Sequence, residues 1–357
     1  MQLSLLKVTK GNNMASTKKA ATDTISWYRT PIDRSRLKEL TTRNDLRALA
    51  QAGGFLLIYL CTTGITLFFF LQEMWIAMVV SAYIHSLFHG FLGTGAAVHE
   101  LSHSTPFKKK RLNLLFIRIF AFLTWTNHEH FRESHRRHHK YTAYDDRDFE
   151  IKREPISFTK PQVIGWFLFD WANFKRLVGT HIRHALGNTD ADFFLWNPLY
   201  ERDEPGARQL IRWSRTLILG HLALIAVFAY FELWILIYTV NFGYFFASFL
   251  VHGCEILQHA GLPHNIPDWR VNASSARFGP LMSFLYWNMN FHCEHHMYAA
   301  VPFYNLPRLH EELKPDLPEQ IPGYWRGLLR VLRIKKRQKT DPGYRFVPEF
   351  PETAAAP

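Results

Sequence analysis

The 357-residue sequence is poor in cysteine, and its three, Cys61, Cys254 and Cys293, form no CxxC pair. That excludes a disulfide framework and a cysteine-based zinc fold, and it points to a reducing compartment. No secretory signal is visible: the apolar run Met1 to Leu6 is too short, and Lys7 and Lys10 follow it instead of preceding it. The net charge is +12, yet no nucleic-acid-binding motif accompanies it. The remaining use for such a charge is an anionic membrane face. There is no HPGG-type haem-binding motif and no flavin or NAD fingerprint. Charge itself is missing over long stretches, although the mean hydropathy of the whole chain is only -0.13. A membrane part must therefore be balanced by a large polar part.

Gly53 to Leu71 and Trp75 to Val98 carry no formal charge, and only Gln72, Glu73 and Met74 separate them. Each is long enough to cross a hydrocarbon core of about 30 Å at about 1.5 Å per residue. Leu217 to Phe231 and Leu233 to Val251 make a second apolar hairpin with Glu232 at its tip. Leu112 to Trp125 and Pro161 to Leu177 mix aromatic and basic residues, as segments lying on a bilayer surface do. The tips of both hairpins lack Lys and Arg, so the positive-inside rule puts the polar regions in the cytosol. The expected domains are a basic cytosolic segment over 1–50, with a disordered start and a short membrane-lying helix from about Asp33, and a membrane domain over 51–320. A basic amphipathic helix (Tyr324 to Arg337) and a loose tail (Pro348 to Pro357) complete the chain over 321–357.

Histidine is plentiful, at 19 residues, and it is clustered. His292, His295 and His296 form an HxxHH box, His135, His138 and His139 a second, and His99 and His103 lie in HELSH. Chance gives one HxxHH about 0.05 times in a chain of this composition. Imidazole is the commonest neutral metal ligand and suits iron, zinc and copper. Eight histidines in three boxes exceed the three protein ligands of one catalytic zinc and ask for two metal ions. His99 and His103 are i,i+4 and share a helix face. Glu255 and His259 repeat that spacing where the fourth crossing ends, which makes His259 a candidate ninth ligand. All boxes fall on one side of the four-crossing topology.

The segments HELSHST (99–105), HRRHHKYTAYDDRD (135–148), EILQHA (255–260) and NFHCEHHMYAAVPFYNLPRLH (290–310) resemble the membrane fatty-acid desaturase family of non-haem di-iron enzymes. The resemblance spans roughly residues 50–320. It implies an all-α integral membrane protein: two transmembrane hairpins, four helices in all, with a cytosolic helical cap holding a di-iron centre over a tunnel. It also implies O2 as co-substrate and a hydrophobic or lipid substrate. Electrons then come from a separate donor protein, cytochrome b-type or ferredoxin, with its reductase. The ligands are expected to be His99, His103, His135, His138, His139, His259, His292, His295 and His296, with no catalytic residue beyond them. Asp145, Asp146, Asp148, Glu255, Asn290 and Glu294 are the candidates to orient those imidazoles, Glu294 by holding a box-two histidine; for the aspartates a solvated acidic loop is the alternative. His85 and His89 share the helix face of box one but lie too far along it to reach the metals. Tunnel lining and a structural hydrogen bond are both open to them.

Desaturation of an acyl chain or similar molecule is the expected reaction. A hydroxylase or ketolase of a lipid or small secondary metabolite is the alternative on the same scaffold. HELSH also matches the HExxH motif of zinc proteases, with Glu100 as base, and an intramembrane zinc protease or a zinc-holding scaffold would fit that motif alone. Both leave the HxxHH boxes without a use. The membrane is that of the endoplasmic reticulum if the source is eukaryotic.

Overall fold

The computed structural model describes residues 24–151, 155–190, 196 and 198–355. The expected disordered start, residues 1–23, lies outside them. The described chain is all-α, with no strand beyond three isolated bridges. Helix α1 (Arg34–Leu40) is capped by Asp33, and α2 (Asp45–Leu71) by the side chain of Asn44. The 27 residues of α2 start eight residues before the charge-free run. It turns at Glu73, in left-handed backbone, into α3 (Trp75–His89), and the two pack as a hairpin with Phe55 against Phe88.

The second crossing does not continue as one helix. After Gly90–Leu92 the backbone breaks, and α4 (Ala97–Ser102) sets off again with box one. Glycine is required at the break: a Cβ on Gly93 would stand 2.9 Å from the Tyr244 ring, and one on Gly95 2.6 Å from Val251 and 2.7 Å from Glu255. Next come α5 (Lys110–Leu123) and α6 (His128–Tyr141), which carries box two. Two short helices, α7 (Lys160–Phe167) and α8 (Trp171–Ala185), follow, with Ile164, Phe167, Leu168 and Trp171 exposed. Aromatic and aliphatic side chains turned outward on such helices suit a bilayer surface.

The third crossing, α9 (Pro205–Tyr230), is continuous. The fourth is not. It begins as α10 (Trp234–Leu236), widens into a π-turn over Ile237–Phe242, tightens over Gly243–Phe245 and resumes as α11 (Phe249–His259). Among the described residues three stretches, Arg34–Leu71, Trp75–Ser102 across its break and Pro205–Tyr230, are long and apolar enough to span a membrane, and the fourth apolar segment, Trp234–Phe245, is short. The physical reason is local: where the ladder opens, its carbonyls are taken by side chains of other helices. Trp125 Nε1 donates to Asn241 O at 2.6 Å, and Tyr59 Oη and His85 Nε2 reach Thr239 O at 3.3 and 3.1 Å. Non-helical backbone at membrane depth is tolerated when protein satisfies it in this way.

The rest of the chain builds the cap: α12 (Trp269–Asn272), α13 (Pro280–Leu285), α14 (His292–Met297) with box three, α15 (Leu306–Leu313) and α16 (Tyr324–Arg337). The amphipathic α16 packs its buried face on α11, with Tyr324 Oη donating to Phe249 O at 2.9 Å. Both ends of the described chain are tied to the cap. Trp27 stacks on Trp269 at 4.4 Å. Near the C-terminus Phe346 N donates to Gly261 O at 2.7 Å, and Ala355 O accepts from the fully buried Arg270 at 3.1 Å.

Candidate metal centre

Each box lies on or at the end of a short helix, so its histidines leave on fixed directions, and the four helices α4, α6, α11 and α14 bring them together. His99, His103, His135, His139 and His295 form one group, His138, His259, His292 and His296 a second, and Glu150 joins His135 and His138 in a third, smaller one. Within each group one ligand atom of every residue lies within 4.8 Å of the rest. All nine histidines expected as ligands are in the first two groups. Splitting of box two, His135 and His139 from His138, follows from helix geometry: at about 3.6 residues per turn i+4 lies about 40° to one side of i and i+3 about 60° to the other. Box three divides in the same manner, His295 to the first group and His292 with His296 to the second.

The spacing of these atoms suits a cation. His103 Nε2 lies 3.1 Å from His135 Nε2 and 3.1 Å from His295 Nε2, His139 Nε2 3.0 Å from His135 Nε2, and His99 Nε2 3.1 Å from His295 Nε2. In the second group His292 Nε2 lies 2.9 Å from His259 Nε2 and 3.0 Å from His296 Nε2. Two nitrogens bound to one metal at about 2.1 Å and at right angles stand about 3 Å apart. The tautomers agree. His135 Nδ1 faces Glu150 Oε1 at 2.6 Å, His138 Nδ1 faces Asp148 Oδ2 at 2.8 Å, and His259 Nδ1 faces Asn272 O at 2.8 Å. An acceptor at Nδ1 fixes the proton there and leaves Nε2 as a lone pair. Converging lone pairs in a buried space repel one another unless a cation sits among them, so the donor set fits metal ions.

The acids that hold these rings come from the turn after box two. Ala143, in left-handed backbone, reverses the chain after α6. Asp148 returns under His138, where Oδ2 also accepts from Ala143 N at 2.9 Å. Glu150 reaches His135 and accepts from Ser134 Oγ at 2.6 Å, and that hydroxyl is held in turn by Trp196 Nε1 at 2.8 Å. Burial pushes the Glu150 carboxyl up to about 7. Sequence reasoning passed over Glu150, although its place two residues beyond Asp148 puts it on the same returning strand of loop.

The other candidate acids face elsewhere. Asp145 pairs with His264 at 2.8 Å and Asn265, and Asp146 is exposed beside Arg147. Glu294 does not hold a box-two histidine: it is fully buried between His310 Nδ1 and Ser275 Oγ. Two residues after His292, it lies about 200° round the helix from that histidine, on the opposite face of α14. Asn290 donates to Ala276 O at 2.8 Å, and Glu255 pairs with His252 instead of His259. Glu100 Oε1 accepts from Thr105 Oγ1 and Phe303 N, each at 3.0 Å, and ties box one to the loop after box three, while its Oε2 is buried with no partner among the described residues. A zinc-protease base would have to face the metal instead. His85 bonds Thr62 at 2.8 Å and the Thr239 carbonyl, and His89 Nε2 bonds Leu123 O at 3.0 Å, at the open end of α5, while His89 Nδ1 is buried without a partner among the described residues.

A cavity of about 590 Å3 opens beside the two groups, and His99, His135, His138, His259 and His292 form part of its wall. Phe131, Phe149, Phe158, Trp166 and Leu177 supply much of the rest. Its size lies within the range of small-molecule sites. A family model described as Fatty acid desaturase matches residues 73–327, more than half of the chain and all of these elements. No individual curated protein matches the sequence at a significant level.

Proposed function

Because the chain belongs to the fatty acid desaturase family, we propose that its nine converging histidines hold two iron ions, and that it is an O2-dependent desaturase of an acyl chain or similar hydrophobic substrate. Membership makes it a membrane oxidoreductase of the desaturase and hydroxylase kind. The observation that carries the metal assignment is the pairing of two lone-pair clusters, five and four imidazoles, each about 3 Å from nitrogen to nitrogen. Iron bound there would supply the activation of O2 and the abstraction of hydrogen from an unactivated C–H bond. The chain's own residues do the rest. Asp148, Glu150 and the Asn272 carbonyl keep His138, His135 and His259 in the ligating tautomer. Phe131, packed at 5.1 Å on the His135 ring, keeps water from that edge of the site.

O2 takes four electrons to become water. Removal of two hydrogens from substrate provides two, and a cytochrome b-type protein or a ferredoxin, kept reduced by its reductase, provides the other two. An acidic donor suits the +12 chain. The boxes then face the cytosol, at the endoplasmic reticulum if the source is eukaryotic, as the charge distribution around the apolar runs supports.

Metal analysis of the detergent-purified protein tests this reading. Two irons per chain are expected, and replacement of any one of the nine histidines by Ala is expected to lower iron content and abolish turnover while the chain still inserts in membranes. One zinc per chain, or a box variant with full activity, overturns it. Mass spectrometry of the product then separates desaturation, a loss of two hydrogens, from hydroxylation, a gain of one oxygen.

A further inference from the structure

The cavity beside the metal centre has a second chemical end. One turn before His259 on α11, Glu255 lies on the cavity wall, and His252 lies three residues before it. His252 Nδ1 meets Glu255 Oε2 at 2.9 Å, and His252 Nε2 meets Asp170 Oδ2 at 3.2 Å. Asp170 caps α8, its Oδ1 accepting from Asn173 N at 3.0 Å. Each of these polar atoms has a partner except one: among the described residues nothing hydrogen-bonds to Glu255 Oε1. Gly95, also on the wall, lies so close that a Cβ there would be 2.7 Å from that oxygen.

Each ring nitrogen of His252 faces a carboxylate oxygen, so both donate and the ring is an imidazolium between two carboxylates. Arg176, on the same wall and bonded to Asn173 Oδ1 at 2.8 Å, brings a second positive charge. His252 answers one oxygen of each carboxylate, and what is left over on the wall is the acceptor Glu255 Oε1. A plain hydrocarbon has nothing to offer that oxygen. A carboxylate, an ester or a thioester carbonyl brings only further acceptors to it and leaves it unpaired.

We propose that Glu255 selects a substrate whose head carries a hydrogen-bond donor, a hydroxyl or an N–H, seated one helical turn from the metal centre. The carbon to be oxidised is then near the head: four residues of helix rise about 6 Å, a length spanned by about four or five carbon–carbon bonds of about 1.5 Å each. The cavity volume of about 590 Å3 holds on the order of 20 non-hydrogen atoms at roughly 30 Å3 each, which suits an amphiphile of moderate length. The assignment rests on the reading of this cavity as the substrate site of the metal centre.

Octylamine, octanol and octanoate test it, because they share a chain and differ in head. Thermal unfolding of the iron-loaded, full-length protein is followed while each is titrated. Octylamine or octanol is expected to half-saturate at a concentration at least about tenfold below octanoate, and which of the two binds tighter identifies nitrogen or hydroxyl. In Glu255→Gln the amide oxygen still accepts from His252, so the amide NH2 takes the place of Oε1 and presents a donor. The order of preference is expected to invert towards octanoate. In Glu255→Leu all three are expected to bind alike. Equal binding of octanoate and the donor probes by the unaltered protein, no binding of any, or an unchanged order in Glu255→Gln overturns the proposal. Iron content read on the same samples keeps the two readings apart. Two irons with no donor preference sinks the head-group assignment alone, and a donor preference without iron sinks the oxidase reading alone.

Discussion

Glu150 offers the sharpest test of how the site is held together. Its Oε1 lies 2.6 Å from His135 Nδ1, and its side chain is only 11% exposed. Replacement by Gln keeps the shape and the acceptor oxygen but removes the negative charge. A hydrogen bond to a charged group contributes about 1.5–3 kcal/mol. Loss of an outer carboxylate of this sort costs metal sites about 10–100-fold in affinity, which is about 1.4–2.7 kcal/mol. The two routes agree, so Glu150→Gln is expected to weaken iron binding by one to two decades. The loss should be confined to the five-histidine group, because His135 belongs there and the four-histidine group is held through Asp148 and Asn272 O instead. Chelator titration of the iron-loaded protein reads this directly: one iron of two should leave at a chelator concentration about 10–100-fold lower than in the unaltered chain. Glu150→Ala should lose that iron more readily still. If both variants release their two irons together and at the unaltered concentration, Glu150 does not act through His135. The carboxylate would then serve only Ser134 and the fold around it.

Two further outcomes concern groups away from the ligands. His252 stands between Asp170 at 3.2 Å and Glu255 at 2.9 Å, and removing one partner of such a pair leaves the other charges uncompensated. His252→Leu is therefore expected to lower the denaturation midpoint in detergent more than His252→Gln, and an unchanged midpoint in both would refute the pairing. Glu100→Gln should keep two irons and product formation within about tenfold, since its carboxylate serves Thr105 and Phe303 N and a general base contributes about 10²–10⁴-fold where one is used. Complete loss of activity with iron retained would restore Glu100 to the chemistry.

The convergence of the histidine boxes was legible because its signal is short-range. HxxHH and HxxxH fix which imidazoles share a helix face, and a helix keeps that relation in any fold. His259 was legible for the same reason, four residues after Glu255 at the end of an apolar run. The outer partners were not, because they depend on how the chain returns. Three aspartates follow box two, yet only Asp148 comes back beneath a ligand, and the decisive feature is the left-handed turn at Ala143. Glu294 looked well placed from its position inside a box. The helix that aims His295 and His296 at the metals turns Glu294 away, towards His310.

Hydropathy marks the second and fourth crossings without showing that their helices are interrupted. It registers that Gly, Phe and Tyr are apolar enough, and it is blind to whether their backbone stays helical. The two interruptions meet in space: Gly93 lies against Tyr244, and Gly95 against Val251 and Glu255. An unbroken helix at either place would need side chains where the other backbone now runs. Because both break, α4 can carry box one and α11 can carry His259 to the same point, and these discontinuities are what bring membrane helices into the metal centre. His85 belongs to this arrangement by closing a carbonyl that the fourth crossing leaves open. A histidine in a membrane helix is thus accounted for by backbone satisfaction, with no metal or substrate required.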